Sequence, residues 1–355
     1  MVDVCSGRDY KHLTEGDIPV YGTGGYMLSV SEALSYDKDA IGIGRKGTID
    51  KPYILNAPFW TVDTLFYAIP REKVDLNYAF DIFQNINWKK KDESTGVPSL
   101  SRTAINEIHI LVPQYDEQQA LGQLFYGIDR LITLHQRKLD KMKELKKTFL
   151  NLIFSQKLRF RGFTDSWELR KLGEITEKIT RKNQSLESLL PLTISAQHGL
   201  IDQNSFFNKQ IASKDVSGYY LIKNGEFAYN KSYSNAYPWG AIKRLDLHDK
   251  GVLSTLYIVF KPTNVESNFL VSYYSADNWH KEVSIRAAEG ARNHGLLNIS
   301  PQDFFETKLL IPNKYEEQEK IGVFFKKLDN LIIFNQDKIN RLKNVKKILL
   351  RNMLI

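Results

Sequence analysis

The sequence contains one cysteine, Cys5, among its 355 residues, so no disulfide can form within the chain. This scarcity is typical of proteins of the reducing cytoplasm. No apolar run approaches the roughly 18 residues that a membrane-spanning helix requires. The first residues also lack the basic and apolar regions of a signal peptide. The sequence therefore predicts a cytoplasmic protein with no membrane partner.

Motifs for catalysis are also missing. The glycine cluster at residues 42–48 lacks the spacing of a loop that binds ATP phosphates. Seven scattered histidines and one cysteine give no zinc-binding cluster. A nuclease-like Glu-x-Lys pattern occurs at Glu144 and Lys146, but it lies on the seam of an amphipathic helix, where a structural role is favoured. These absences predict a non-catalytic protein that binds no cofactor itself.

The charge balance is basic. Lys and Arg number 49 against 41 Asp and Glu, which gives a net charge of +8 and a pI near 9.1. Such a balance favours a polyanionic partner, because basic side chains neutralise phosphates and release counterions. A basic, solvated surface without a partner is the alternative, and charge alone does not decide between them.

The strongest feature is an internal repeat. Fourteen of the 41 residues from 115 to 155 are identical to the residue 200 positions later, where chance would give about two or three. The identical residues of the first copy are Tyr115, Glu117, Gln118, Gly122, Phe125, Asp129, Leu131, Ile132, Gln136, Lys138, Lys143, Lys146, Lys147 and Leu150. The similarity extends upstream, where Gly96 and Ser101 correspond to Gly295 and Ser300.

Each copy has the pattern of a long helix. Apolar residues recur in alternating steps of four and three, which predicts a heptad seam. The seam residues are Leu121, Phe125, Ile128, Ile132, Leu139, Met142, Phe149 and Ile153, then Ile321, Phe325, Leu328, Ile332, Ile339, Leu342, Leu349 and Met353.

Polar residues interrupt both seams at matching positions. The interruptions are His135 and Asn335, then Lys146 and Lys346. Because buried polar residues fix register, this coincidence favours two helices that pair with each other as an antiparallel coiled coil. The alternative is two amphipathic helices that each pack on their own domain.

The segments between the helices have the composition of mixed α/β domains. Residues 64–69 and 255–260 are rich in β-branched and aromatic residues, which predicts strands. The predicted organisation is a first domain at 1–114, a helix at 115–157, a second domain at 158–313 and a helix at 314–355. The fold class is therefore mixed α/β, with pseudo-two-fold symmetry.

With this duplicated organisation, the sequence resembles the specificity subunits of Type I restriction–modification systems. The stretches Pro113 to Lys147 and Pro312 to Lys347 are similar to the two conserved regions of that family, and residues 159–174 and 295–300 flank the second domain as they do there. Residues 56–60 lack the double proline expected of an adenine methyltransferase, so that activity is not expected in this chain.

The resemblance implies a set of partners. It implies two target-recognition domains that bind a bipartite duplex DNA target, two adenine-N6 methyltransferase subunits and ATP-dependent restriction subunits. The helix pair would be both a spacer and a docking surface for the methyltransferases. S-adenosylmethionine, ATP and Mg would be used by the partner subunits. A coiled-coil adaptor without DNA specificity is the alternative function, and a self-sufficient restriction enzyme would need motifs that this sequence lacks.

The first domain differs from the second at its start. Residues 2–4 are expected to correspond to residues 177–179, so about 20 residues like 159–174 have no counterpart before the first domain. We expect an internal start or a shortened gene, and a less stable first domain.

Candidate DNA-binding residues of the first domain lie beside glycine clusters. They are Tyr26, Arg45, Lys46 and Thr48. Glycines allow close approach of the backbone to a phosphate, and Arg can read guanine through a bidentate contact. Two ordinary glycine turns with solvated charges are the alternative.

Candidates of the second domain lie where polar, basic and aromatic residues alternate. They are Asn230, Lys231, Ser232, Tyr233, Arg292 and His294. Residues 230–233 follow a strand-like segment, as Arg45 and Lys46 do, which is typical of a loop that faces a DNA groove. A hairpin stabilised by Tyr and Trp is the alternative. Weaker candidates are the histidine at 198, its neighbour at 197, and a basic helix face at residues 137–147, for which a solvated face is equally favoured.

Overall fold

The structure is a computed structural model that describes residues 1–195, 199–209, 211–232, 237–287 and 296–353. The chain forms two compact units. Unit 1 contains residues 1–139 and 335–355, and unit 2 contains residues 140–334. Among the described residues, no helix combines the length and the apolar character needed to span a bilayer.

The first 114 residues of unit 1 form a small mixed α/β domain. Its strands are β1 (Val2–Ser6), β2 (Glu15–Gly22), β3 (Gly25–Val30), β4 (Ala40–Gly44), β5 (Tyr53–Leu55), β6 (Trp60–Thr61) and β7 (Leu65–Pro70). Its helices are α1 (Leu76–Asn85), a short 3-10 helix (Trp88–Lys91) and α2 (Arg102–Asn106). One sheet has the order β1-β7-β4-β5 and a second has the order β3-β2-β6.

Unit 2 has a larger set of elements. Its strands are β8 (Glu168–Lys171), β9 (Thr176–Ile179), β10 (Leu192–Ser195), β11 (Gly199–Asp202), β12 (Tyr220–Lys223), β13 (Phe227–Asn230), β14 (Ala241–Arg244), β15 (Lys250–Leu253), β16 (Ile258–Pro262) and β17 (Lys308–Ile311). Its short helices are α4 (Leu172–Ile175), α5 (Gln203–Phe207), α6 (Ser267–Tyr273), α7 (His280–Arg286) and α8 (Pro301–Phe305). Its four-stranded sheet has the order β14-β13-β16-β9.

The two four-stranded sheets have the same topology. In both, the strand of the sheet that comes first in the sequence pairs antiparallel with a strand that ends in proline: Val2 of β1 lies opposite Pro70, and Thr176 of β9 lies opposite Pro262. The registers therefore align Val2 with Thr176, one residue away from the correspondence expected from sequence. Residues 65–70 form β7, which confirms the strand predicted at 64–69. The strand predicted at 255–260 is confirmed from residue 258 onward, whereas residues 255–257 form a turn that precedes β16.

The two repeat segments form the longest helices, α3 (Tyr115–Phe154) and α9 (Tyr315–Met353). In unit 1, Leu350 packs with Leu121 and Phe125. In unit 2, the rings of Phe149 and Phe324 have centroids 5.3 Å apart. Nearer the middle of the helices, Asp129 contacts Lys346 and Lys146 contacts Asp329, so in each unit the residue number rises along one helix segment as it falls along the other. The two segments therefore run in opposite directions, and the predicted mixed α/β fold with an antiparallel helix pair is confirmed.

The lysines that interrupt the seams form a symmetrical pair of ion pairs. In unit 2, Lys146 Nζ lies 2.6 Å from Asp329 of the opposite helix. In unit 1, Lys346 Nζ lies 2.6 Å from Asp129. Lys346 is the repeat equivalent of Lys146, and Asp129 is that of Asp329, so the repeat places the same interaction in both units.

Two further repeated residues hold each domain on its long helix. Gln118 Oε1 accepts a hydrogen bond from the backbone N–H of Asp75, the N-cap of α1 (3.1 Å), and Gln118 Nε2 donates to the carbonyl of Pro113 (2.9 Å). In unit 2, Gln318 makes the same bonds to Glu266, the N-cap of α6, and to Pro312, at 2.9 and 2.8 Å.

A glycine on the next turn completes this contact. A Cβ on Gly122 would lie 2.4 Å from the Asp75 carboxylate, and one on Gly322 would lie 2.5 Å from that of Glu266. Only a residue without a side chain allows the capped helix to approach so closely. We call this repeated Gln–Gly contact, at Gln118 with Gly122 and at Gln318 with Gly322, the helix clamp.

Candidate nucleic-acid interface

The candidate site of unit 1 lies where β4 ends. Gly44 closes a turn in which a Cβ would lie 2.0 Å from the Thr48 carbonyl, and Gly47 has a φ of +91°. Both positions therefore require glycine for the turn itself. The turn fixes Arg45 and Lys46 by backbone hydrogen bonds: Arg45 N–H donates to the Thr64 carbonyl (2.8 Å), and the Arg45 carbonyl accepts from Leu100 N–H (2.9 Å).

Arg45 and Lys46 line an open groove of about 530 Å³, which we call the basic groove. Both side chains are exposed. Arg45 rests over the Phe66 ring, 5.8 Å from its centroid, and Nη1 makes only a long hydrogen bond of 3.4 Å to the Asp63 carbonyl. Within the described part of the chain neither cation forms an ion pair, so both are available to an anionic ligand. The other lining residues are Ser6, Asp63, Thr64, Phe66, Glu93, Ser99, Leu100, Ser101 and Arg102.

The other two candidates of unit 1 lie elsewhere. Thr48 is half-buried in the turn and does not line the basic groove. Tyr26 lies on β3 in the second sheet and is 63% exposed, with its hydroxyl 3.2 Å from Ser29 Oγ. Sequence reasoning missed Arg102, which lines the groove directly after Ser101, the N-cap of α2. The sequence did mark this position, because Ser101, the residue directly before Arg102, is one of the repeated residues.

The candidate site of unit 2 lies where β13 ends. Asn230 Oδ1 accepts a hydrogen bond from the backbone N–H of Ser232 (3.0 Å) and so shapes the turn. Lys231 is half-buried, and its Nζ donates a long hydrogen bond of 3.5 Å to the Ile299 carbonyl. Ser232 is exposed. The candidates Tyr233, Arg292 and His294, and the weaker pair at 197 and 198, lie outside the described residues.

The two sites occupy equivalent positions in the two sheets. Ile41 of β4 lies opposite Ala68, and Phe227 of β13 lies opposite Phe260. Counting from these pairs aligns Arg45 with Lys231 and Lys46 with Ser232. A backbone hydrogen bond supports this alignment: Leu297 N–H donates to the Lys231 carbonyl (2.9 Å), as Leu100 N–H donates to the Arg45 carbonyl. The same backbone thus presents two exposed cations in unit 1, but one half-buried cation and a hydroxyl in unit 2.

Among the described residues, no group of three or more His, Cys, Asp or Glu side chains is arranged to hold a metal ion. The Glu144–Lys146 pattern is part of the helix pair, since Lys146 binds Asp329.

The chain has two domains with β-sheets that are held on repeated antiparallel helices. These features define a class of protein, and comparisons with known proteins point to the same class. Residues 6–144 match the family model for the Type I restriction modification DNA specificity domain. The MjaVIII specificity subunit of a Type I restriction enzyme from Methanocaldococcus jannaschii is 25% identical over 147 residues, which are 40% of this chain and 33% of that protein. The match thus spans about a third of the relative's length.

One solved structure is similar over the whole chain. The S subunit of a Type-I restriction-modification system from M. genitalium matches with a TM-score of 0.67 and 15% identity, covering 100% of this chain and 94% of that one. At this identity the likeness concerns the fold. Residues 6–144 therefore belong to the Type I specificity-domain family, and the resemblance found in the sequence is confirmed.

Proposed function

We propose that this chain is the non-catalytic DNA-specificity subunit of a Type I restriction–modification complex, in which each unit binds one half of a bipartite duplex target. The observation that carries the proposal is the equivalence of the two candidate sites. One backbone frame presents Arg45 and Lys46 in unit 1 and Lys231 and Ser232 in unit 2. Identical frames with different side chains suit two readers of different sequences, because base-edge contacts specify sequence while backbone contacts only position the protein.

The groove chemistry of unit 1 supports contact with DNA. Two cations that form no ion pair with any described residue lie beside hydroxyl groups and backbone amides, which are common donors to phosphates and base edges. Recognition by unit 2 would rest more on hydrogen bonds, since its equivalent position carries only one cation. S-adenosylmethionine, ATP and Mg would be used by partner subunits and not by this chain.

The long helices support partner binding. In unit 1, Leu134 is 51% exposed, and in unit 2 its repeat equivalent Phe334 is 64% exposed. Exposed large apolar side chains at repeated positions are typical of protein interaction surfaces. We place the two methyltransferase subunits at these symmetric patches, with restriction subunits joining the assembled complex. Leu134→Glu should remove one methyltransferase and Phe334→Glu the other, as measured by light scattering of the purified complex. Lys143→Glu and Lys343→Glu, on exposed repeated lysines, are the matched controls.

The DNA proposal is tested by removing charges from one unit at a time. Replacing Arg45 and Lys46 by Ala should weaken duplex binding and lower the salt slope of log K by about two, because two phosphate or base contacts are lost. Base preference at the other half-site should not change. Lys231→Ala should affect only the second half-site, with a slope change of about one.

The control removes two exposed lysines that do not line the groove, Lys11 and Lys38. This variant should keep the wild-type slope to within about 0.5. Methylome sequencing with the methyltransferase partner would identify which half-site changed. If the wild-type chain shows no salt-dependent duplex binding, the coiled-coil adaptor becomes the better account of its function.

A further inference from the structure

The basic groove of unit 1 is lined by carboxylates as well as by cations. Asp63 and Glu93 lie in the same lining as Arg45, Lys46 and Arg102. Both acidic residues are exposed, and neither forms an ion pair within the described residues. A phosphate seated in the groove would therefore meet like charges, which are costly at a close interface. This mixture of charges is unlike a surface that only follows the DNA backbone, where cations alone neutralise phosphates.

Hydrogen bonds of the backbone and of the side chain hold Glu93 at the groove. The Glu93 N–H donates to the Ser99 carbonyl (3.3 Å), and Ser99 forms an antiparallel bridge with Lys46 on its other side. The Glu93 side chain accepts a hydrogen bond at Oε1 from Ser101 Oγ (3.2 Å). Within the described residues the other carboxylate oxygen, Oε2, has no hydrogen bond. It is therefore available to a donor from outside the chain.

The loop that carries Glu93 is closed by the preceding residue, Asp92. Asp92 Oδ1 accepts hydrogen bonds from Ser99 N–H (3.0 Å), Ser94 N–H (3.0 Å) and Ser94 Oγ (2.8 Å). The bonds from Ser99 and Ser94 hold the pKa of Asp92 below its ordinary value, so the carboxylate that closes the loop is ionised at neutral pH. Glu93 therefore lies on a turn whose backbone is already ordered, and ligand binding costs little further ordering there.

The backbone ladder places Glu93 within reach of the bases beside Arg45. Ser99 lies between Glu93 and Lys46, and it bonds to both segments. Neighbouring segments of such a ladder are about 4.8 Å apart, so the backbones of Glu93 and Lys46 are separated by about 10 Å. This distance corresponds to about three steps of a base stack at about 3.4 Å each. Arg45 and Glu93 can therefore contact base pairs of one half-site.

We propose that Glu93 is a base-reading residue of unit 1, whose carboxylate accepts a hydrogen bond from the exocyclic amino group of a cytosine in the major groove. Cytosine N4 is the donor that a carboxylate reads there, as guanine O6 and N7 are the acceptors that Arg45 can read. The same negative charge disfavours phosphates, so the groove selects base edges over the DNA backbone. This assignment rests on the proposed function, because it requires that the basic groove binds DNA.

Selection of duplexes from a random library by the full chain, followed by sequencing, tests the proposal. The half-site of unit 1 is the one whose base preference changes in Arg45→Ala. At one cytosine of this half-site, Glu93→Ala should lose the preference and bind the selected duplex about tenfold or more weakly, because a base contact is lost. Glu93→Gln keeps an acceptor for Ser101. It should shift the preference at that position towards adenine, whose N6 and N7 pair with a carboxamide.

Glu32→Gln, which changes an exposed carboxylate outside the groove, is the matched control and should alter neither base preference nor affinity. The proposal is wrong if Glu93→Ala leaves every base preference unchanged. Equal or tighter binding to all duplexes would then mean that Glu93 only repels phosphates, and uniformly weaker binding would mean that it only supports the turn through Ser101. Both of these results leave DNA binding by unit 1 intact. A wild-type chain without salt-dependent duplex binding would instead overturn the proposed function, and this assignment with it.

Discussion

Unit 1 and unit 2 share two sets of contacts made by the long helices, but they differ at their candidate DNA-binding sites. The helix clamp and the lysine–aspartate pair occur in both units with nearly the same distances. By contrast, Arg45 and Lys46 are replaced at equivalent positions by Lys231 and Ser232. The comparison teaches that these repeated residues fix the frame, while the side chains that the frame presents at the candidate sites differ.

The glycines of the helix clamp offer the largest effect. Gly122→Ala and Gly322→Ala each place a Cβ within 2.5 Å of the carboxylate that caps the neighbouring helix, and within 2.8 Å of a backbone nitrogen. We expect each to lower the free energy of unfolding of its own unit by about 2–4 kcal/mol, because capped helix and long helix must separate. Chemical unfolding followed by hydrogen exchange would assign the loss to a unit.

Gly127→Ala is the matched control for this comparison. Gly127 also lies in α3, but a Cβ there would have no neighbour within 4 Å. The substitution should stabilise the helix by about 0.5–1 kcal/mol. An equal gain in stability at Gly122 and Gly127 would mean that helix propensity, rather than the clamp, dominates.

A buried carboxylate breaks the agreement between the units. Asp81 of α1 is 2% exposed and lies 4.0 Å from Lys346. Counting from the N-caps, its equivalent in unit 2 is Ser272. Burial raises the pKa of Asp81 to about 8, against the opposing effect of Lys346, and Asp129 and Asp75 also raise it. Burial therefore favours the protonated carboxyl of Asp81 in unit 1, at a position where unit 2 has the hydroxyl of Ser272.

This difference predicts that Asp81 makes the stability of unit 1 depend on pH, with no equivalent effect from Ser272 in unit 2. Because the folded-state pKa exceeds the ordinary aspartate pKa of 3.8, the stability contributed by protonated Asp81 is complete below pH 3.8 and is lost as the pH rises to about 8. Asp81→Asn should remove the loss, so its stabilising effect should grow by up to about 1 kcal/mol per pH unit in this window and level off above it. Thermal unfolding of both proteins from pH 5 to 9 measures it, and a pH-independent effect would contradict the assignment.

The helix pair was predictable from sequence, whereas the contacts that explain it were not. Heptad spacing predicted both long helices, and the matching breaks in their seams favoured an antiparallel pair. Lys146 and Lys346 at these breaks form ion pairs. The roles of Gln118 and Gly122 were hidden, because their partners lie about 40 residues upstream in α1. Repetition showed that these residues matter, but only the fold shows that they hold a helix N-terminus.

The positions of the candidate DNA-binding sites in the fold could be predicted from the sequence, but the full set of residues that line them could not. Placing Arg45 and Lys231 after equivalent strands used only local pattern, and the sheet registers agree with it. Arg102 was missed because its own turn lies far along the chain from β4. Asp81 was missed because an amphipathic pattern cannot distinguish a solvated carboxylate from one that faces a partner helix. The contacts of the candidates with DNA stay predictions.

The smallest expected effect concerns the two lysine–aspartate pairs. They are partly buried to similar degrees, with lysine side chains 20% and 11% exposed and aspartate side chains 36% and 35% exposed. Pairs with this much solvent contribute modestly, so a double-mutant cycle with Lys→Met and Asp→Asn should give a coupling energy of about 1 kcal/mol in each unit. Lys346 also donates to Gln84, so Lys346→Met alone should cost more than Lys146→Met while the two coupling energies stay equal. Raising the salt concentration should lower both coupling energies together. If only one unit shows a coupling energy, the lysine and aspartate are repeated in the other unit for a reason other than the ion pair.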